Sequence, residues 1–269
     1  MPLAVCATPI GNLDDITLRV LAELREADVV LAEDTRHTRG LLERHGIKAS
    51  LLSYHAHNEA ARAAEVLPRL AAGERIALVT DAGMPGVSDP GAMLVRTALE
   101  AGVPVTVLPG AGAVETALVA SGLAGERYAF IGFLPRKAAE LEALWRETAA
   151  WGCVVVAFES PKRLPASLRS LAAFDARREA AVCRELTKRF EEVARGTAQE
   201  LADRFTEPPK GEITLVIGPG TSGADAGDEE RALGAVAELV GAGVPRRRAA
   251  EIVSGLVGIS RNRLYKRSL

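Results

Sequence analysis

Three glycine- and proline-rich segments carry the residues best suited to chemistry. They are Ala7–Asp15 (ATPIGNLDD), Thr80–Gly91 (TDAGMPGVSDPG) and Pro109–Ala113 (PGAGA). Each mixes Gly and Pro with small or acidic residues, so that backbone can approach a ligand closely. Turn chemistry alone accounts for any one of them; three together ask for more. Gly110-x-Gly112 is half of a dinucleotide-binding fingerprint, but Glu115 takes the third glycine position and the motif falls at the last strand of its unit rather than the first. A standard Rossmann NAD site is therefore not expected, and no GxxxxGK(S/T) phosphate loop occurs. His55 and His57 form an H-x-H pair, but no Cys or HExxH pattern completes a ligand set, so no metal is expected. There is no G-x-S-x-G, and no Cys has a His near it in sequence, which leaves acyl-transfer nucleophiles unsupported. Asp34, with Arg36 and His37, stands at the end of a strand pattern. Asp89 reads differently, as a helix N-cap ahead of Pro90 in the first helical position.

The elements that must position these segments alternate. Strand patterns cover Leu3–Cys6, Asp28–Ala32, Ser50–Tyr54, Ile76–Thr80 and Val103–Leu108. Helical patterns cover Ile16–Ala27, Arg36–His45, Glu59–Ala72, Pro90–Ala101 and Ala111–Ser121, with Gly46 and Gly73 as stops. This alternation predicts a mostly parallel sheet covered by helices on both faces, with ligands beyond the carboxyl ends of the strands. After a boundary at Gly122–Arg127 the pattern resumes. Strands are predicted at Tyr128–Phe133, Val154–Phe158, Ala180–Arg184 and Ile213–Ile217, and helices at Lys137–Ala149, Leu164–Ala173 and Ala198–Phe205. Gly218–Gly227 reads as a flexible linker. Glu229–Val240, Arg247–Val257 and Ser260–Lys266 read as three short helices. The expected organisation is an α/β domain over 1–122, a second over 123–220 and a helical extension over 228–269.

Composition bounds the partners. The chain has 269 residues, 48% hydrophobic and 25% charged, as expected of a soluble globular protein rather than a disordered one. With 4% aromatic residues, its core must be mostly Ala, Val, Leu and Ile. Thirty-three basic against 35 acidic residues give −2, which taken whole argues against a generically basic nucleic-acid binder. Position changes that reading. Residues 246–269 hold seven Lys and Arg against Glu251 alone, for +6, and the remaining chain carries −8. A basic tail joined to an acidic body fits RNA gripped locally. Cys6, Cys153 and Cys183 lie in apolar runs and read as buried thiols in strands. No basic leader and no apolar stretch of about 20 residues is present, so no membrane partner is expected, and the expected compartment is a reducing cytoplasm.

Taken in order, TPIGNLDDIT, AEDTRHT, YHAHNE, LVTDAGMPGVSDPG, VLPGAGA, FIGFLPRK, FESPKRL, RELTK and KGEITLVI resemble the ribosomal RNA small subunit methyltransferase I family, within the wider tetrapyrrole-methylase fold. The likeness runs over nearly the whole chain. It departs at Met84, at Ala111-Gly112 and at Phe158, where the family often has Thr, Pro-Ser or Pro-Cys, and Tyr. The resemblance implies two α/β domains with S-adenosylmethionine in a cleft between them, a homodimer, and transfer to the 2′-hydroxyl of a cytidine in 16S rRNA of the small ribosomal subunit. Under it, Pro9, Gly11, Asp81, Ala82, Gly83, Ser88, Pro109, Gly110 and Glu159 would bind the cofactor. Glu33, Asp34, Glu185 and Lys188 are the candidates for moving the hydroxyl proton. Arg36, His37, Arg184, Arg189, Arg246, Arg247, Arg248, Arg261 and Lys266 would hold RNA. Two alternatives stay open: methylation of a corrin precursor on the same fold, and a non-catalytic RNA-binding module.

Overall fold

The computed structural model describes residues 2–220, 226–257, 259 and 261–268. The chain divides into two compact units, one of residues 1–120 with 183–192, the other of 121–182 with 193–269.

Unit 1 holds five strands, β1 (Leu3–Cys6), β2 (Val29–Ala32), β3 (Leu51–Ser53), β4 (Ile76–Val79) and β5 (Val105–Leu108). They lie in the order β3-β2-β4-β1-β5, and every pairing is parallel. Parallel neighbours need crossover helices. Here these are α1 (Leu18–Glu26), α2 (Thr35–Arg44), α3 (Glu59–Ala71) and α4 (Ala92–Glu100), followed by α5 (Ala113–Ser121). The central strands are apolar at every position because both faces are covered. Leu3, Val29, Leu31, Ile76 and Leu78 pack with Ala63, Val66, Leu70, Leu94 and Ala98 of α3 and α4. Their neighbours Ala4, Cys6, Val30, Ala32, Ala77 and Val79 pack with Val20, Leu21 and Leu24 of α1 and Leu42 of α2.

Local chemistry shifts several helix starts. The helix expected from Ile16 begins at Leu18, because Thr17 caps it by accepting the Val20 N–H; a short 3-10 turn, Leu13–Asp15, comes first, capped by Asn12. The helix expected from Pro90 begins at Ala92. Its N-cap is Gly91, at φ +134° and without a side-chain cap bond, so Asp89 is not the cap that its spacing suggested. The helix expected from Ala111 likewise starts late, at Ala113.

Unit 2 holds β6 (Tyr128–Phe133), β7 (Val154–Glu159), β10 (Ile213–Ile217) and most of β8 (Glu179–Arg184) and β9 (Glu192–Thr197), in the order β6-β7-β10-β8-β9. This sheet is mixed: β6 and β7 run parallel, β7 and β10 antiparallel. Strand β9 has no counterpart among the predicted elements. Its sequence, EVARGT, lacks an apolar run, and only Ala194 enters the core. Helices α6 (Ala138–Ala150), α7 (Leu164–Phe174) and α8 (Ala198–Arg204) supply Leu141, Trp145, Leu164, Leu168, Leu171 and Leu201 to that core. Cys6 and Cys183 are buried, whereas Cys153 sits half-buried just ahead of β7.

Of the expected linker, residues 221–225 lie outside the described residues, and Ala226 and Gly227 already belong to α9 (Ala226–Gly241). α10 (Arg246–Val257) and α11 (Arg261–Arg267) join α9 around a small core of its own, built on Val236, Ala250, Val253 and Leu264.

One buried cation organises unit 2. Arg178 is fully buried and donates from Nε to the Gly218 carbonyl at 2.8 Å, with its other nitrogens 3.4 Å from the Thr148 hydroxyl and carbonyl. Burial lowers its pKa. Removing it would leave the Gly218 carbonyl buried and unpaired, which typically costs about 1–3 kcal/mol, and would empty the space its side chain fills, while the Thr148 carbonyl keeps the Trp151 N–H. Arg178→Ala should therefore destabilise the protein by about 2–4 kcal/mol in urea melts; a change below about 0.5 kcal/mol would show the clamp to be idle.

Candidate functional site

The sheet of unit 1 delivers its chemistry to one edge. β4, β1 and β5 are consecutive neighbours, so the segments leaving their carboxyl ends, 80–91, 7–15 and 109–113, stand side by side. β1 and β4 send their helices to opposite faces, and such divergence opens a crevice above a parallel sheet. Within it, the Thr8 N–H donates to the Gly83 carbonyl at 2.9 Å and the Gly83 N–H donates back to Thr8 at 3.1 Å. The Thr8 hydroxyl adds a bond to the Thr80 carbonyl at 3.0 Å. The third segment is held just as closely, because a Cβ at Gly110 would stand 2.9 Å from the Ala7 Cβ.

The 80–91 segment is shaped by left-handed backbone. Gly83, Gly86 and Gly91 have φ of +77°, +83° and +134°, and Ser88 adopts +63° without being glycine. Non-glycine residues in that region cost roughly 1–3 kcal/mol each and persist where surrounding structure dictates them. Part of what dictates it here is Glu59. Its Oε1 accepts the Gly91 N–H at 2.8 Å and the hydroxyl of fully buried Tyr54 at 3.0 Å. Burial and the Glu59 charge push the Tyr54 hydroxyl far up. Sequence spacing pointed to neither residue, since the interaction spans 32 positions.

Three carboxylates gather at the same edge. Asp81 accepts the Asp34 N–H at 3.1 Å, and the Glu33 carboxylate accepts the Asp81 N–H, a reciprocal clasp between the ends of β2 and β4. Burial and the Asp81 charge raise the Glu33 pKa. Asp89 joins them, pushed up to about 6 first by burial and then by Glu33 and Asp81. His55 faces Glu33, and its Nδ1 is buried without a partner among the described residues. No cluster of these residue types suited to hold a metal ion occurs among the described residues.

Other expected site residues are held in internal partnerships. Asp34 caps α2 through the Arg36 N–H at 2.8 Å and grips the Arg36 guanidinium at 2.7 and 3.1 Å, which holds its carboxyl far below the usual carboxylate range. A carboxylate so stabilised is a weak base. Arg36 and His37 are exposed at the start of α2. Arg184 pairs with Glu192 at 2.7 Å, and Lys188 with Glu185 at 2.9 Å. Gly11 faces that segment: a Cβ there would come within 2.5 Å of the Lys188 Cγ and 2.7 Å of the Thr187 hydroxyl. Its glycine serves the packing of two loops. In unit 2, Glu159 is buried and fully occupied by Arg163, the Ser160 N–H and the Ser167 hydroxyl. Arg246, Arg247 and Arg248 form the first turn of α10, while Arg261 and Lys266 lie on α11. Pro9 is buried, and Ala82 half-buried, whereas Pro109 and Gly110 are exposed on their segment.

This architecture has relatives. A family model described as Tetrapyrrole (Corrin/Porphyrin) Methylases matches residues 2–202. A curated relative from Mesorhizobium japonicum, named ribosomal RNA small subunit methyltransferase I, is 42% identical over 99% of this chain and 91% of its own. A relative of the same name from Synechocystis is also 42% identical, over 99% of this chain and 97% of its own. Among solved structures, a uroporphyrin-III C-methyltransferase from Thermus thermophilus complexed with S-adenosylhomocysteine matches at a TM-score of 0.57 and 20% identity, over 80% of this chain and 96% of that one. From the carboxyl-edge loops to the overall α/β architecture, the chain belongs to the tetrapyrrole methylase family, and within it to the ribosomal RNA small subunit methyltransferase I group.

Proposed function

We propose that this protein transfers a methyl group from S-adenosylmethionine to the 2′-hydroxyl of a cytidine in the RNA of the small ribosomal subunit. The observation that carries the reading is the carboxyl edge of unit 1, where three close-packed loops stand beside carboxylates of raised pKa. The names of the relatives supply the substrate class.

Asp81, Ala82, Gly83 and Ser88 on one segment, Pro9 on another and Pro109 with Gly110 on the third are the residues that would hold the cofactor. The fit rests on backbone: tight and left-handed glycine positions let main-chain groups approach a ligand closely. S-adenosylmethionine supplies an activated methyl group on a sulfonium, so the difficult chemistry is the cofactor's. The chain has two tasks left. It must hold the ribose hydroxyl in line, and it must take up that hydroxyl's proton. Asp89 suits the second task better than Asp34. Raised to about 6, it is a stronger base than an ordinary carboxylate and still ionised at neutral pH. Glu33, raised by burial and by the Asp81 charge, can share the proton.

The extension suits RNA. Cations in the first turn of a helix oppose its dipole, so the dipole does not account for Arg246, Arg247 and Arg248, although Arg248 pairs with Glu251 at 2.8 Å and Arg246 donates to the Ser268 carbonyl. Beside a phosphate backbone the same placement is favourable. Together with exposed Arg36 and His37, these residues are the RNA contacts we assign. A cytoplasmic homodimer is the expected working form; largely exposed Val107 on edge strand β5 and Val119 on α5 are apolar surface that an assembly would cover.

Incubation with methyl-labelled S-adenosylmethionine should label small ribosomal subunits at the ribose of one cytidine. Label in a precorrin instead, or none in either, would overturn the reading. Asp89 gives a sharper test. A base must be ionised, so turnover should rise with pH through about 6 and then level off. Asp89→Asn should lower kcat by about 100-fold or more with little change in KM. The same variant should melt at a higher temperature than the parent at pH 8. The folded pKa lies above the unfolded one, so ionised Asp89 costs stability above about pH 6, and the cost fades as pH falls toward 4. Unchanged turnover and an unshifted melting curve would remove Asp89 from the mechanism.

A further inference from the structure

A second concavity lies in unit 1, and none of the three carboxylates lines it. It has a volume of about 530 Å³ and is lined by Gly11–Leu13, Arg44 and Thr187–Arg189. Three cations from two distant stretches of sequence line it, and no carboxylate does. The acids that hold two of these cations stand outside the lining: Asp14 accepts from Arg44 Nε and Nη2 at 3.1 and 2.7 Å, and Glu185 from the Lys188 ammonium at 2.9 Å. Their effect is to fix the cations in place before any ligand arrives.

The backbone beneath is built rather than incidental. Glu185 and Thr187 have φ of +52° and +64°, uncommon for residues with a side chain. The Thr187 hydroxyl accepts the Asn12 N–H at 2.9 Å, and its own N–H donates to Glu191 at 2.6 Å. Gly11 lets the two loops meet where any side chain would collide. Next to Arg189 of the lining, Phe190 is 66% exposed, with the Arg189 guanidinium 5.6 Å from its ring centre. Fixed cations beside an exposed aromatic ring suit a single-stranded nucleic acid, whose phosphates seek charge and whose bases seek a flat apolar face.

We propose that this cavity is a phosphodiester-binding subsite for single-stranded RNA, with Phe190 as the stacking platform for an adjacent base. The inference rests on the RNA methyltransferase reading and adds to it a place where the substrate strand is held by unit 1 itself, independent of the basic tail.

The test uses the full chain and an oligocytidylate probe, with binding followed by anisotropy across a salt series, alongside methyl transfer to small ribosomal subunits. Arg44→Gln should weaken oligocytidylate binding roughly tenfold at low salt and reduce the log–log salt slope by about 0.7, as one lost phosphate contact requires. Arg44→Lys should restore most of both. Asp14→Asn removes the same ion pair but keeps the cation, and should weaken binding far less than Arg44→Gln and leave the salt slope unchanged. Phe190→Ala should weaken binding without altering the slope, since stacking releases no counterions. S-adenosylmethionine affinity should stay constant throughout. The subsite is overturned if Arg44→Gln and Asp14→Asn weaken binding alike, if the salt slope does not move, or if cofactor affinity falls with Arg44→Gln. Absence of methyl transfer by the parent protein would count against the proposed function, while the oligocytidylate series would still decide the subsite.

Discussion

Everything at the candidate site depends on the parallel pairing of β4, β1 and β5. Parallel strands bring all their carboxyl ends to one edge, and their neighbouring order makes three segments up to 102 residues apart into three sides of one crevice. The two-way bond between Thr8 and Gly83 then fixes the spacing of two of them, and the missing Cβ of Gly110 allows the third to close on Ala7. A slip of one residue in β1 would turn its whole apolar set to the wrong face, so register is held by the same core that buries Leu3 on one side and Ala4 and Cys6 on the other.

Charge sorts the remaining residues. Asp34, Asp14 and Glu159 each face an arginine, and each is accounted for by that pairing. Glu33, Asp81 and Asp89 face one another instead. Burial first, and then neighbouring carboxylate charge, raise the pKa of Glu33 and Asp89, a state that costs stability and fits the proton-moving role proposed for them. Exposed ion pairs such as Asp34–Arg36 contribute little stability, so their value lies in orienting a cap or a cation.

Much of this was legible in the residues. The apolar runs marked Leu3–Cys6 and Ile76–Thr80 as strands, against Leu3–Cys6 and Ile76–Val79 in the structure, and the Gly- and Pro-rich segments after them as loops at the carboxyl edge, because apolar runs and turn chemistry are local properties. Asp89 was misread for the same reason. Asp-Pro ahead of a helix is a sound capping signal, and only three-dimensional structure reveals that Gly91, held by Glu59, starts the helix and frees Asp89 to crowd Glu33. Strand β9 was hidden because EVARGT is nearly all polar or small, and its pairing with β8 is a property of the sheet. Arg44 carried no signal at all, since its cavity is completed by residues more than 140 positions away.

The central claim is that the loops at the carboxyl edge of unit 1 form the cofactor site. Amide hydrogen exchange with and without S-adenosylmethionine tests it most directly. Binding should slow exchange in residues 7–13, 80–91 and 109–113 together, because one ligand touches all three and the Thr8–Gly83 bridge couples two of them. Protection confined to unit 2 or to the helical extension, or no protection at saturating cofactor, would contradict the account.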